Sequence, residues 1–67
     1  MIKLTILGKK GEEIFLNPHQ IEYITAHADT TIVMLSGKRY MVLEDYKTIF
    51  RRIVAYRRLI GGFKNEE

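Results

Sequence analysis

The chain contains 67 residues, of which 46% are hydrophobic, and it has no cysteine and no tryptophan. A chain of this length buries only about 60% of the surface that its unfolded form exposes, so we expect one small core and no enclosed catalytic pocket. The lack of cysteine excludes disulfide bonds, thiolate metal sites and thiol nucleophiles, and the net charge of +3 does not by itself indicate a nucleic-acid-binding protein.

No apolar run approaches the length of about 18 residues that a membrane-spanning helix needs. Residues 1–4 also lack the charged and then apolar layout of a signal peptide. We therefore expect a soluble protein of the cytoplasm.

The first two thirds of the chain has the pattern of an antiparallel β meander. β-branched and apolar residues recur in short runs that are separated by glycine, proline, asparagine, aspartate or serine. A glycine-bearing hairpin loop at residues 8–11 joins the first two runs. Together the runs predict a small antiparallel sheet of about five strands, at residues 2–7, 12–16, 21–28, 31–35 and 38–43.

The later connections have recognisable turn residues. Asn17 and Pro18 end the second strand, because proline lacks an amide donor, and the Asn17 side chain can accept a hydrogen bond from a backbone amide of the turn. Asp29 and Thr30 predict the next turn, and Gly37 is expected to supply a positive φ in the two-residue connection before the last strand.

After the last strand the hydrophobic period changes. Apolar residues recur every three or four positions from residue 46, which predicts an amphipathic helix that ends near residue 60. Glu44 and Asp45 lie where acidic residues favour a helix N-terminus, and a pair of glycines provides the stop. We interpret residues 1–60 as a single α+β domain and residues 61–67 as a flexible C-terminal tail.

Several predicted strands carry apolar side chains on both faces. In the last strand, Met41 and Leu43 alternate with Tyr40 and Val42, so each face of this strand is apolar. A helix of about 15 residues is about 23 Å long and covers only one face of such a sheet. Because large exposed apolar patches are uncommon on small monomers, we expect self-association or an obligate partner to cover the other face.

The predicted helix is strongly basic, since residues 46–60 include five lysines or arginines and no acidic residue. At about 100° per residue, Lys47, Arg51 and Arg58 form one row beside the apolar stripe, while Arg52 lies on its other side. Arg57 falls inside the stripe, where it extends its charge past the core edge, pairs with a carboxylate or contacts a partner. These five residues are the candidates for partner binding.

The sequence shows no catalytic or metal-binding pattern. His19 and His27 are the only histidines, and neither has a second ligand at a spacing typical of a metal site. Ser36 is a turn residue without a nucleophile motif around it. We therefore expect a non-enzymatic protein that holds no cofactor and no metal.

A second interpretation is a small nucleic-acid-binding regulator that uses the basic helix. The lysines and arginines are interleaved with Tyr46, Phe50 and Tyr56, and such a composition can supply phosphate contacts and base stacking. These aromatic residues, however, lie at the spacing expected for core packing, so a protein-interaction module is the favoured interpretation and nucleic-acid binding the alternative.

Several short motifs lie in order along the chain: MIKLT at the N-terminus, LNP followed by IEYI, then DTTI, GKRY and VLE. Together they resemble the FlbD family of flagellar proteins, which includes SwrD-like swarming motility proteins, and the resemblance covers nearly all of residues 1–60. Glu22 is either solvated or paired with an arginine of the helix. We interpret the motif residues as structural; they include Leu16, Asn17, Pro18, Ile21, Glu22, Asp29, Thr30 and Gly37.

The resemblance implies a cytoplasmic protein that supports swarming motility by increasing the power of flagellar motors. It implies a motor or stator component as partner and names no catalytic residue. Together with the interpretation of the individual residues, the resemblance leads us to expect a small homo-oligomeric interaction module, located in the cytoplasm and peripheral to the flagellar motor.

Overall fold

The computed structural model describes residues 1–8 and 10–60. Antiparallel strands precede one helix, which confirms the predicted α+β class and the order of its elements. The elements are β1 (Ile2–Thr5), β2 (Glu13–Leu16), a 3₁₀ turn (Pro18–Gln20), β3 (Ile21–Ala26), β4 (Thr30–Met34), β5 (Arg39–Val42) and the helix α1 (Tyr46–Leu59). The expected flexible tail, residues 61–67, and the two glycines at its start lie outside the described residues.

The five strands form two sheets rather than one continuous meander. β1 pairs with β2, and β3, β4 and β5 pair in that order. The chain changes sheet after β2, where Pro18 begins the 3₁₀ turn and the Asn17 side chain accepts a hydrogen bond of 3.0 Å from the His19 amide. This contact confirms the turn role predicted for Asn17. Because the turn redirects the backbone, β3 starts a second sheet instead of pairing with β2.

The two sheets meet along β1 and β5. Just beyond β1, the Leu7 amide donates a hydrogen bond to the Met41 carbonyl, and the Leu43 amide donates one to the Thr5 carbonyl, each at 2.9 Å. These bonds place the first strand of the chain beside the last one. Strands that are far apart in sequence therefore hold the two sheets in one body.

The strand bounds leave residues 35–38 between β4 and β5, four instead of the predicted two, and the Met34 amide donates to the Lys38 carbonyl at 2.8 Å, which closes a loop of three residues, 35–37. Leu35, which we placed in a strand, lies in the turn. The Gly37 amide donates to the Met34 carbonyl at 2.8 Å, and Gly37 has a φ of 96°. A three-residue connection of this kind ends in a left-handed residue, a conformation that glycine adopts without strain. The positive φ predicted for Gly37 is confirmed.

The connection between β3 and β4 also differs from the prediction. Thr30, which we assigned to the turn with Asp29, pairs with Ala26 in β3, and residues 27–29 form the loop. Thr30 also pairs with Val42 of β5 on its other side. Because β4 is the central strand, a β-branched residue at its start gains two neighbours by remaining extended, which outweighs its tendency to form a turn.

The core lies between α1 and one face of the strands. Leu4 of β1, Ile32 of β4 and Ile49 of α1 are fully buried. Residues alternate along each strand, so that Val42 is buried in this core whereas Met41, its neighbour, is 51% exposed. The two-faced pattern predicted for the last strand is confirmed. The other members of the buried cluster are Ile2, Leu16 and Met34.

Asp45 caps the N-terminus of α1, as its position in the sequence predicts. Its carboxylate accepts a hydrogen bond of 2.8 Å from the amide of Thr48, one of the amides that a helix leaves without an internal partner. Hydrogen bonds from Thr48 lower the pKa of Asp45, and the positive charges of Arg51 and Lys47 lower it further. The cap therefore remains ionised at neutral pH.

Glu44 fastens the start of α1 to β1. Its side chain, 12% exposed, accepts hydrogen bonds from the amide and the hydroxyl of Thr5 at 2.9 and 3.0 Å. Arg52, one of the candidates for partner binding, donates to the Glu44 carboxylate at 3.2 Å and also to the Lys3 carbonyl. Burial alone would raise the pKa of Glu44, but the hydrogen bonds from Thr5, from its own amide and from Arg52 lower it below its ordinary value of 4.5.

Replacing Glu44 with glutamine is expected to make the free energy of unfolding less dependent on pH in the acidic range. A carboxylate whose pKa is lowered by folding stabilises the fold fully above its unfolded pKa, and this contribution is lost as the pH falls through the folded pKa. The difference in free energy of unfolding between the parent protein and Glu44→Gln should therefore shrink between about pH 6 and about pH 3. Urea denaturation across this range measures it, and parallel profiles would contradict the prediction.

Arg52→Ala is expected to lower the free energy of unfolding by about 1–2 kcal/mol, because it removes a donor from the partly buried Glu44 carboxylate and from a backbone carbonyl. Arg51→Ala, one position earlier, is the matched control and should remain within about 0.5 kcal/mol of the parent protein. Chemical denaturation at neutral pH compares the two variants. Equal losses would show that the contacts of Arg52 do not stabilise the fold.

Candidate partner-binding surface

One side of α1 is used for folding. Ile49 is fully buried, Ile53 and Tyr56 pack against the core, and the ring of His19 from the 3₁₀ turn meets the ring of Tyr56 edge-on at 6.1 Å. These three helix residues lie on one stripe, as their spacing predicts. Arg52 flanks this stripe on the side of β1, where it contacts Glu44 and Lys3.

A second apolar row lies on the exposed side of α1. Tyr46, Phe50 and Val54 follow at intervals of four residues, so their side chains lie on one face of the helix. Tyr46 is 53% exposed and Phe50 is 65% exposed. Our interpretation of these two aromatic residues as core packing is therefore wrong. The apolar positions of the helix span too wide an arc for a core of this size to cover, and that width was the available signal in the sequence.

Three basic residues run beside this apolar row. Lys47, Arg51 and Arg58 are exposed and lie on the adjacent flank of α1; we call them the basic row. Arg51 donates to the Thr48 hydroxyl at 3.3 Å. Within residues 1–8 and 10–60, the ion pairs are Lys3–Glu13 and Arg52–Glu44, so no carboxylate of the described chain forms an ion pair with the basic row, although the Asp45 carboxylate lies near enough to Lys47 and Arg51 for their charges to lower its pKa.

Arg57 is exposed and lies within the apolar arc of the helix, between the angular positions of Ile53 and Phe50. With Arg58 it lines a shallow groove of about 370 Å³, whose apolar wall is formed by Phe50, Ile53 and Val54. Among the described residues Arg57 has no carboxylate partner, and its side chain is exposed. It therefore adds a fourth positive charge to the exposed surface of the helix.

A second groove separates α1 from β3. Its volume is about 310 Å³, and Tyr46, Phe50 and Ile53 form one wall while Ile24 and Ala26 form the other. β3 is an edge strand of its sheet, because it pairs only with β4. We call this depression the α1–β3 groove. Phe50 lines both grooves and is therefore at the centre of the exposed apolar surface of the helix.

The face of the strands opposite to α1 also exposes large apolar side chains. Phe15, Met41 and Leu43 are each more than half exposed. The charged neighbours on this face have both signs, since Lys3 pairs with Glu13 at 3.6 Å and Phe15 lies beside Lys3 in the register of β1 and β2. We call it the outer sheet face. Arg39, two residues before Met41 in β5, lies on the same face, so this face differs from the helix surface in carrying charges of both signs.

The motif residues occupy structural positions. Leu16 and Pro18 are buried, Ile21 packs against the core, and Asn17 and Gly37 form turns. Glu22 is exposed at an irregularity in the pairing of β3 with β4, and in the described part of the chain it pairs with no arginine. Asp29 is an exposed loop residue and Thr30 is a strand residue.

The described residues contain no group of three metal-ligating side chains, and none of their helices is long and apolar enough to cross a membrane. The exposed surfaces of the described residues carry apolar rows, flanking charges and shallow grooves. Such surfaces bind other macromolecules through buried apolar anchors with a polar rim.

Comparison with known proteins gives one match. The model of the FlbD family, described as flagellar and swarming motility proteins, matches residues 1–61. No curated protein and no solved structure matches the chain. Because the family model spans almost all of the 67 residues, the chain belongs to the FlbD family of flagellar and swarming motility proteins.

Proposed function

We propose that this protein supports the power output of the flagellar motor as a small, non-enzymatic interaction module. The membership in a motility family supplies the process. The observation that carries the proposal is the basic row of α1, which lies beside exposed aromatic side chains and forms no ion pair with a carboxylate of the described chain. Positive charge of this kind raises the association rate with an acidic partner and disfavours wrong partners.

A component of the motor or the stator is the proposed partner, and the cytoplasm next to the motor is the proposed location. The protein acts there by contact, because its exposed surfaces are apolar rows rimmed by charge. Self-association forms the second part of the proposal. The outer sheet face is apolar and carries charges of both signs, so two copies can bring this face together with less repulsion than two basic helices would produce.

Nucleic-acid binding remains the alternative function, and one observation favours it. Tyr46 and Phe50 are exposed beside the basic row, where aromatic rings can stack on bases while lysine and arginine contact phosphates. Such binding weakens steeply as salt rises. A mobility-shift assay with duplex and single-stranded nucleic acid at low salt decides the matter, because a retarded, salt-sensitive complex would support the alternative and unshifted nucleic acid would remove it.

Reversing two charges of the basic row is expected to abolish the motility function. Arg51→Glu combined with Arg58→Glu should reduce swarming and the torque of tethered motors to the level of cells that lack the protein, while the circular dichroism spectrum stays unchanged. The matched control, Lys10→Glu combined with Lys38→Glu, changes the net charge equally at two exposed hairpin positions and should retain function. Normal torque in the first variant would contradict the role of the basic row.

Removing apolar side chains from the outer sheet face is expected to weaken self-association. Met41→Ser combined with Leu43→Ser should shift the protein toward a monomer in light scattering at micromolar concentration, because the apolar area that the contact buries is reduced. Phe50→Ser, on the opposite side of the molecule, should leave the oligomer intact. A parent protein that is already monomeric would contradict the self-association proposal.

A further inference from the structure

The surface around Phe50 is shaped for an elongated occupant. Tyr46, Phe50 and Val54 form a ridge that runs for two turns of α1, and the α1–β3 groove extends along its side. Ridges formed by residues four apart pack into the grooves of another helix. The other groove, which Arg57 and Arg58 line together with Phe50, continues from the α1–β3 groove toward the C-terminal end of α1.

The charged side chains that α1 itself places beside this ridge are all positive. The basic row lies along the flank away from β3, and Arg57 adds a further positive charge near the ridge. Residues 46–60 contain no acidic residue. An occupant that buries Phe50 therefore brings its own flank against lysine and arginine, and acidic side chains on that flank are complementary to them.

We propose that the α1–β3 groove binds an acidic amphipathic helix of a partner protein, with Phe50 as the central anchor. This inference rests on the proposed function and specifies the chemistry of the partner. The bound helix places apolar side chains, spaced three or four residues apart, against Tyr46, Phe50 and Val54. Its glutamate or aspartate residues lie against the basic row. An exposed aromatic residue beside a groove and surrounded by charged side chains has the features of an interface hot spot.

A second copy of this chain fits the surface poorly. Packing two α1 helices through their exposed rows would place two sets of positive charges together, and like charges in contact disfavour association. The outer sheet face, with its mixed charges, provides a less costly contact between copies. A dimer that depends on Phe50 would therefore overturn the proposal.

An anionic membrane surface also fits poorly. A bilayer surface is flat, whereas Ile24 and Ala26 form the far wall of a groove that only an inserted side chain reaches. An elongated protein segment matches both the concave shape and the one-sided charge.

The test uses a fluorescently labelled synthetic peptide of about 16 residues, a length at which an isolated helix is only marginally stable and gains order on binding. The peptide carries leucine on one face and glutamate on both flanks. Fluorescence anisotropy measures its affinity for the full chain at low and high salt. Two further peptides are compared: one has lysine in place of glutamate, and one has the same composition with its helical period shuffled.

The acidic peptide is expected to bind, and more weakly at high salt. The lysine peptide and the shuffled peptide should bind at least about tenfold more weakly, because each loses one part of the complementarity. Phe50→Ala should weaken binding of the acidic peptide by about tenfold or more. Arg51→Glu should also weaken this binding and should reduce its dependence on salt. Met41→Ala, on the outer sheet face, is the matched control and should bind as the parent protein does.

Three results would overturn the proposal: equal binding of the acidic and shuffled peptides, unchanged affinity in Phe50→Ala, and Phe50-dependent binding to vesicles of anionic lipid without binding to the acidic peptide. A dimer that Phe50→Ala dissociates in light scattering would overturn it as well. Failure of this proposal can be distinguished from failure of the proposed function. If charge reversal abolishes motor torque while the peptide does not bind, the basic row has another occupant and the proposed function stands.

Discussion

The limiting physical constraint in this protein is the area that one helix can cover. α1 has 14 residues, so it is about 21 Å long, and it is packed against five strands. One face of the strands is buried by Ile49, Ile53 and Tyr56, whereas on the other face Val33 is buried but Phe15, Met41 and Leu43 are exposed. Both the position of α1 and the two exposed apolar surfaces follow from this shortage of cover.

Because so little area holds the helix in place, polar contacts at its ends have a large share in its orientation. Asp45 satisfies an amide of the first turn, and Glu44 ties the same end of the helix to Thr5 of β1. Arg52, two turns further on, holds Glu44 and the Lys3 carbonyl together. These contacts fix the rotation of α1, and a helix fixed in rotation presents one defined row, centred on Phe50, to the solvent.

Much of this fold follows from local sequence patterns. The alternation of apolar residues predicts the strands and their period of three or four predicts the helix, while the turn at Asn17 and the positive φ of Gly37 each have a local physical cause. The errors concern contacts between distant segments. The break between the two sheets depends on how β1 meets β5, and the strand state of Thr30 depends on having neighbours on both sides. At the candidate surface, the helical spacing of the lysine and arginine residues predicted the basic row. The exposure of Phe50 and the inward role of Arg52 were not, because a helical period gives the arc of apolar residues but not how much of that arc the core covers.

The two exposed apolar surfaces differ in charge, and this difference separates their uses. The outer sheet face combines Lys3 with Glu13, whereas α1 carries positive charge alone. A surface with charges of both signs can contact a second copy of itself without strong repulsion. A surface of one sign favours a partner of the opposite charge. Folding, in turn, uses the stripe of α1 around Ile49 and the contacts of Glu44 and Arg52. Since the basic row shares none of these folding contacts, we expect substitutions there to have little effect on stability, so that its proposed role in binding can be varied separately from the fold.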